Sequence, residues 1–411
     1  MHLPSVDTLK NIYGEEKKSI ERFRKLGDCF KEHFGTEEIE FFSAPGRTEI
    51  IGNHTDHNGG KILAASIDMD TVGAAYPNNT SVIHIVSEGY KNEIIVDLKE
   101  ISKAPKCQGT VSLVAGMMEA AEKFGFQTGG FSAYVSTNVI GAAGVSSSAS
   151  FEMLICCIIN YFFNQGKMEE IDYARIGQYA ENVYWEKASG LMDQMACAVG
   201  GTILLDFSRP REELYSKVDF SFGQMGYDLV IVNTGKGHAD LSEEYSSIPM
   251  EMKEAAAVMG ADILGERSLK EFMPHIKEMD NDRSVLRALH FFQENKRVEQ
   301  AMDAIDKGDK KELLHILEAS GNSSWKWLQN CYAVSDCKDQ KVSLTLALTE
   351  IFLETIQDGC CRVHGGGFAG VIMAVVPKGR TEEYVGYISQ YVGEDNVYPM
   401  NIRQCGALHL E

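Results

Sequence analysis

The segment SAPGRTEIIGNHTDHNGG, residues 43–60, decides how the rest of the chain is read. It crowds Arg47, Asn53, His54, Asp56, His57 and Asn58 between glycines, directly after the apolar stretch Ile39–Phe42 and before Lys61–Ile67. A strand that runs into so polar a loop presents many short hydrogen-bonding groups to a hydroxylated ligand. Two further glycine-rich runs lie far along the chain, GAAGVSSSAS at 141–150 and RVHGGGFAG at 362–370, with ENVYWEKASGLMDQ at 181–194 between them. Each is weak evidence alone; the four in this order are not accidental.

The chemistry of each run is specific. In GAAGVSSSAS, glycine and alanine let backbone N–H groups approach a phosphate, and the following helix offers its electropositive N-terminus. The serines supply hydroxyls for phosphate oxygens or for Mg²⁺, which prefers oxygen ligands. No Gly-Lys-Ser/Thr follows, so this is not a Walker loop; by itself the string also reads as a serine-capped helix start. The triple glycine at 365–367 either lies against a ligand or makes a tight turn, with His364 as a turn residue. Glu181 and Asp193 are twelve residues apart, spaced to return to one site, one toward a metal and one toward a substrate hydroxyl. Asp193 and Gln194 stand inside an apolar run, where burial demands partners. His54, Asp56 and His57 lack a further histidine spaced to close a zinc site, which favours hydrogen bonding to a sugar.

Composition narrows the alternatives. A chain of 411 residues has room for roughly two or three domains and for a large core. Its 44% apolar and 24% charged content is that of a soluble globular protein. A net charge of −20 opposes binding to nucleic acid or anionic membranes, so a phosphate ligand must be held by local donors. The N-terminus lacks a signal-peptide core, no apolar run reaches membrane-spanning length, and ten cysteines show no metal spacing. A cytoplasmic monomer is therefore expected, its cysteines reduced.

Periodicity predicts one or two helices over 5–35, strands at 38–43, 61–76, 81–87 and 92–98, a helix at 109–125 and a strand at 130–137. Helices follow at 146–163 and 172–185, then strands at 201–207 and 227–235. The later half is helix-rich, at 243–258, 268–274, 283–306, 309–321, 323–330 and 341–357, closing with a strand at 370–377 and a helix at 380–391. Grouped strands fit an α+β architecture better than a doubly wound sheet. The stretch 208–226 marks the expected division into domains 1–210 and 211–411.

These motifs together resemble the galactokinase branch of the GHMP small-molecule kinases. The first is similar to that family's GR-x-N-x-IGEHTDYNGG, the second to its phosphate loop GxGLSSSAS and the last to GGGFGG. LRALHFFQENKRV at 286–298 resembles the family's RxxHxxxENxRV. The resemblance implies a two-domain GHMP kinase fold (ribosomal protein S5 domain 2-like at the N-terminus) with the active site in the cleft. It implies ATP and Mg²⁺, and phosphorylation of the anomeric hydroxyl of galactose. By resemblance, Asp193 is the general base and Arg47 stabilises the transferring phosphoryl group. Asn53, His54, Asp56, Gly190 and Tyr245 line the sugar pocket. Ala142, Ala143, Gly144, Val145, Ser146, Ser147 and Ser148 wrap the phosphates, Ser87 touches the nucleotide, and Ser148 and Glu181 hold Mg²⁺. Asn53 stands where the pattern has glutamate, and His57 where it has tyrosine. That exchange raises galacturonate as an alternative substrate, beside N-acetylgalactosamine. A sugar- and ATP-binding regulator without turnover is the alternative of another class.

Overall fold

Residues 2–141, 144–187, 189–209, 214–235 and 241–411 are described by the structure, a computed structural model. The charged N-terminal stretch forms α1 (Val6–Tyr13) and α2 (Glu16–Phe34). Four strands follow, β1 (Glu40–Ile51), β2 (Lys61–Pro77), β3 (Val82–Ser87) and β4 (Ile94–Asp97). Next come α3 (Gly109–Lys123), β5 (Phe131–Thr137), α4 (Ser147–Asn164), α5 (Glu170–Tyr184), α6 (Met192–Val199), β6 (Thr202–Asp206) and β7 (Tyr215–Val218). The later part holds β8 (Tyr227–Asn233), α7 (Ser242–Ala257), α8 (Leu269–Phe272), α9 (Asp282–Lys307) and α10 (Lys310–Ser323). It closes with α11 (Lys341–Ile356), β9 (Cys360–His364), β10 (Val371–Pro377), α12 (Thr381–Val392), β11 (Val397–Met400) and β12 (Leu408–Leu410).

The first sheet runs β12-β1-β2-β5-β3-β4, and β6 and β7 extend it from the other half of β2. At 17 residues, β2 is long enough to pair with β5 along 71–77 and with β6 along 61–65. Alternation sorts its faces, because successive strand side chains point opposite ways. Phe41, Val72 and Ala74 pack on α1 and α2 with Phe23 and Phe30; Phe42, Ala44 and Ala75 pack on the apolar α3 and α4. The second sheet, β11-β8-β10-β9, alternates likewise. Val230, Val232, Ile372 and Ala374 face α11 and α12. Leu229, Ile231, Met373 and Val375 face α9 and α10 and join one core with Ile50, Ile51, Leu63 and Ile67 of β1 and β2. Each such fully buried aliphatic side chain is worth about 1.5–3 kcal/mol, so the two sheets meet through packed core.

Three expectations need correction. The strand expected to end at residue 43 continues to Ile51, with register shifts between Pro45 and Arg47 and between Glu49 and Ile51. Bulges of this kind re-aim side chains, and here a stretch read as loop turns Arg47 and Glu49 into the cleft. Helix α6, unforeseen, begins one residue before Asp193. Sheet membership does not follow a cut at 210/211, because β7 pairs with β6 and β12 pairs with β1. The polar stretch 208–226 concealed a short exposed strand, and the C-terminus returns to the first sheet. Among the described residues, no helix is long and apolar enough to cross a membrane.

Candidate active site between the two sheets

A cavity of about 700 Å³ opens where β1, α6, α7 and the turn after β9 meet. Arg47, His54, Asp56, Gly144, Glu181, Gly190, Asp193 and Tyr245 all line it, so three motifs separated by hundreds of residues converge. At its centre Arg47 grips Asp193 bidentately, Nε to Oδ1 at 2.8 Å and Nη2 to Oδ2 at 2.9 Å. The Ser146 hydroxyl donates to the same carboxylate, and Arg47 Nη1 donates to the Gly144 carbonyl. Burial raises the Asp193 pKa, but Arg47, the Ser146 hydroxyl and Lys187 outweigh it and bring it down to about 2. Asp193 is therefore a carboxylate throughout the working pH range.

The phosphate loop lies directly on β1. Arg47 N–H donates to the Val145 carbonyl at 3.2 Å, and a Cβ at Gly46 would stand 2.8 Å from that oxygen. Ser146 adopts the left-handed conformation at φ 58°, and its hydroxyl serves Asp193, so α4 starts with no side-chain cap. Its first N–H groups are left for an anion. Nearby, Ser148 donates to Glu181 at 3.0 Å, and the Lys187 ammonium reaches both Glu181 oxygens at 2.9 and 3.1 Å. Gln194 donates to Glu152 at 3.1 Å, and burial beside Glu181 pushes the Glu152 pKa well up. Ala142 and Ala143 lie outside the described residues.

The opposite wall is built by the first motif and held from behind by α9. Glu294 accepts the Gly52 N–H at 3.2 Å, His290 Nε2–H donates to the Asn53 carbonyl at 3.0 Å, and Asn295 accepts the Lys61 N–H at 2.8 Å. The ENKRV segment thus anchors the loop without entering the cavity. His54 donates from Nε2 to the Gly366 carbonyl at 2.9 Å, and burial holds its pKa near 4, so it stays neutral. Tyr245 donates to the Gly367 carbonyl at 2.7 Å. At Gly190 a Cβ would stand 1.9 Å from Asp56 Oδ2, so glycine is required for that carboxylate to lie where it does.

Asn53 is not where the sequence reading put it. Its side chain is buried, outside the cavity lining, and fully used by protein partners. Nδ2 donates to Glu49 at 3.0 Å and to the Gly365 carbonyl at 2.7 Å, while Oδ1 accepts from Asn330 at 2.8 Å. Glu49 lines the cavity instead, held by Arg362 at 3.0 Å. The chain thus carries glutamate at 49 and asparagine at 53, where the pattern has asparagine and then glutamate, and here the two side chains are in contact. The departure at 49 was the signal that sequence reading passed over; Lys187 was the other residue missed. Of the described residues expected at the nucleotide, only Gly144 lines the cavity; Ser87, Val145, Ser146, Ser147 and Ser148 fall outside the lining. Val145 is a core side chain, and Ser87 sits half-buried at the end of β3.

The fold and cleft define a class, the GHMP small-molecule kinases. The model for the GHMP kinases N terminal domain matches residues 112–201, and the Methanococcus jannaschii mevalonate kinase structure shares the fold with a TM-score of 0.64 at 14% identity over 90% of this chain and 99% of its own. Residues 28–77 match the galactokinase galactose-binding signature. The chain is 31% identical to the galactokinase of Limosilactobacillus reuteri (strain DSM 20016) over 87% of its own length and 90% of that protein's. It is 30% identical to that of Clostridium tetani over 85% and 87%. Lactococcus lactis galactokinase, solved in complex with galactose, superimposes with a TM-score of 0.82 at 28% identity, covering 93% of this chain and 98% of that one. This chain belongs to the galactokinase family.

Proposed function

We propose that the protein transfers the terminal phosphoryl group of ATP to the C1 hydroxyl of galactose, giving galactose 1-phosphate and ADP. The observation that carries this reading is the Arg47–Asp193 pair, sited where the phosphate loop meets the wall built by the first motif. Phosphoryl transfer asks mainly for alignment and charge stabilisation. Arg47 spends three of its five N–H donors on Asp193 and Gly144, leaving two for phosphoryl oxygens. Asp193, with its pKa near 2, is a weak base in the ground state. It orients the hydroxyl by accepting its hydrogen bond and takes the proton as the new O–P bond forms and the bond to ADP breaks. Gly144, Ser146, Ser147 and the uncapped start of α4 receive the phosphates.

Glu181 and Ser148 offer hard oxygen donors 3.0 Å apart beside that loop, and Glu181 already holds the Lys187 cation. This donor set fits Mg²⁺ arriving with the nucleotide. When bound, the ion neutralises charge on the phosphate oxygens. The sugar wall carries Glu49, Asp56 and neutral His54, whose one N–H is already given to Gly366, so all three present acceptors to sugar hydroxyls. Arg362 is spent on Glu49 and the Ile50 carbonyl, outside the lining. A uronate carboxylate would meet like groups there, which favours a neutral hexose.

The test is ADP release and ³¹P NMR of the product with Mg-ATP and galactose, galacturonate, N-acetylgalactosamine or glucose. Galactose should give a sugar phosphate without a reducing end. Binding of galactose and ATP by calorimetry with no ADP released would reject the enzyme in favour of a regulator.

A further inference from the structure

A second cavity, of about 280 Å³, lies between α9, α10 and the single π-helical turn Ser324–Leu328. It shares no lining residue with the catalytic cleft. On a chain of net charge −20 it gathers Arg297, Lys326 and the imidazole of His315 against one carboxylate, Glu318. Arg297 has only 12% of its side chain exposed. Its Nε donates to Glu294 at 2.7 Å, while Nη2 is sealed from solvent and has no partner. Among the described residues Nη1 makes no hydrogen bond, and it is not sealed, so it is the guanidinium donor open to an incoming oxyanion. Among the described residues, neither Lys326 nor His315 makes an ion pair, so their positions are not explained by internal charge balance.

The π turn is part of the construction. Such a turn inserts a residue into a helix and re-aims its neighbours, frequently at functional sites. Here it carries Lys326 and Trp327 to the cavity while Ser324 faces the other way and donates to Asn53 at 3.3 Å. Asn322 adds an amide to the lining, and Trp327 an aromatic wall. The volume is near the lower end of ligand cavities, large enough for a phosphate with a small body attached and too small for a nucleotide.

We propose that this cavity binds the phosphate group of a small metabolite, with Arg297, Lys326 and His315 as its donors. The site does not depend on the kinase reading. Its test uses a W185F/W325F protein, in which Trp327 is the remaining indole of three. Its fluorescence is titrated with inorganic phosphate and, in a second arm, with glucose 1-phosphate, against sodium chloride at matched ionic strength. A saturable change is expected with a midpoint below about 1 mM, weakened about tenfold or more by adding K326M and H315Q, two substitutions at exposed positions. A tighter midpoint for the sugar phosphate assigns the site to phosphosugars; a tighter one for inorganic phosphate assigns it to the free ion. Calorimetry on the chain with its tryptophans intact should find one phosphate more per chain than on K326M/H315Q protein. A response that persists in the double substitution, or equal stoichiometry in both proteins, overturns the proposal.

Discussion

The two walls of the cleft are held by different kinds of interaction. The sugar wall, residues 52–61, is fixed from behind by groups that never face the cavity: Glu294 on the Gly52 N–H, His290 on the Asn53 carbonyl and Asn295 on the Lys61 N–H. The phosphate wall is held by the groups the reaction would use. Arg47 pairs with Asp193, Ser146 donates to Asp193, and Lys187 sits on Glu181. Its turns contain left-handed φ values at Ser146 and Glu186, residues that rarely adopt them. One wall is held without any cavity-facing group; the other satisfies its charges on one another. Charged side chains left without partners in a low-dielectric cleft would be costly, which accounts for the difference.

The comparison breaks most visibly at Asp193. Asp193→Asn should lower kcat by about 10³-fold and leave galactose affinity within a few-fold, because the sugar wall stands without it. Steady-state ADP release and calorimetry check both; an equal loss of affinity would mean the two walls are one unit.

A smaller effect is expected at the exchanged pair. Asn53→Glu brings a second buried carboxylate against Glu49 and should cost about 2–4 kcal/mol of stability. Adding Glu49→Asn restores the pattern's own order and should recover most of that loss in urea unfolding. If the double substitution is as unstable as the single, the pair does not act as a unit.

Gly190→Ala drives a methyl group into Asp56 and should raise the galactose KM about tenfold, with the ATP KM unchanged. A shift in the ATP KM instead would place Gly190 on the phosphate wall.

The remaining expected effect, absent at neutral pH, is on acid stability. Burial lowers the His290 pKa from 6.5 to about 4. Between those values the unfolded chain binds more protons than the folded one, so stability falls as pH drops from 6.5 toward 4, by up to about 1.4 kcal/mol per unit. His290→Gln removes that term and should make the pH dependence of the urea midpoint shallower over this interval, with buried His54 keeping its own share. Glu294, whose pKa is brought to about 2 by His290, Arg297 and Arg362 against the effect of burial, adds a loss only at lower pH.

Much of this was legible in the chain. Ser147–Asn164 and Val371–Pro377 are strongly patterned and formed as expected. Arg47, Asp56, Gly190, Asp193 and Tyr245 were named from the resemblance of the chain's runs to a known family, and all five line one cavity. Local pattern misled where a residue's neighbour is distant. Asn53 is polar and lies in the motif, but its fate depends on Asn330 and Gly365, which no window around it contains. Lys187 shows its meaning only once α5 brings Glu181 within 3 Å. β7 and β12 are too short to carry a period of their own and are strands because β6 and β1 offer open edges.

By itself, then, the sequence determined the longer elements and, through the resemblance of its runs to a known family, the class of chemistry, since hydrophobic period and backbone-permissive residues act locally. Tertiary structure decided which of two neighbouring polar residues, Glu49 or Asn53, faces the ligand. Two bulges in β1 set that choice, and bulges follow from how a strand registers against its partner, a property that no single segment contains.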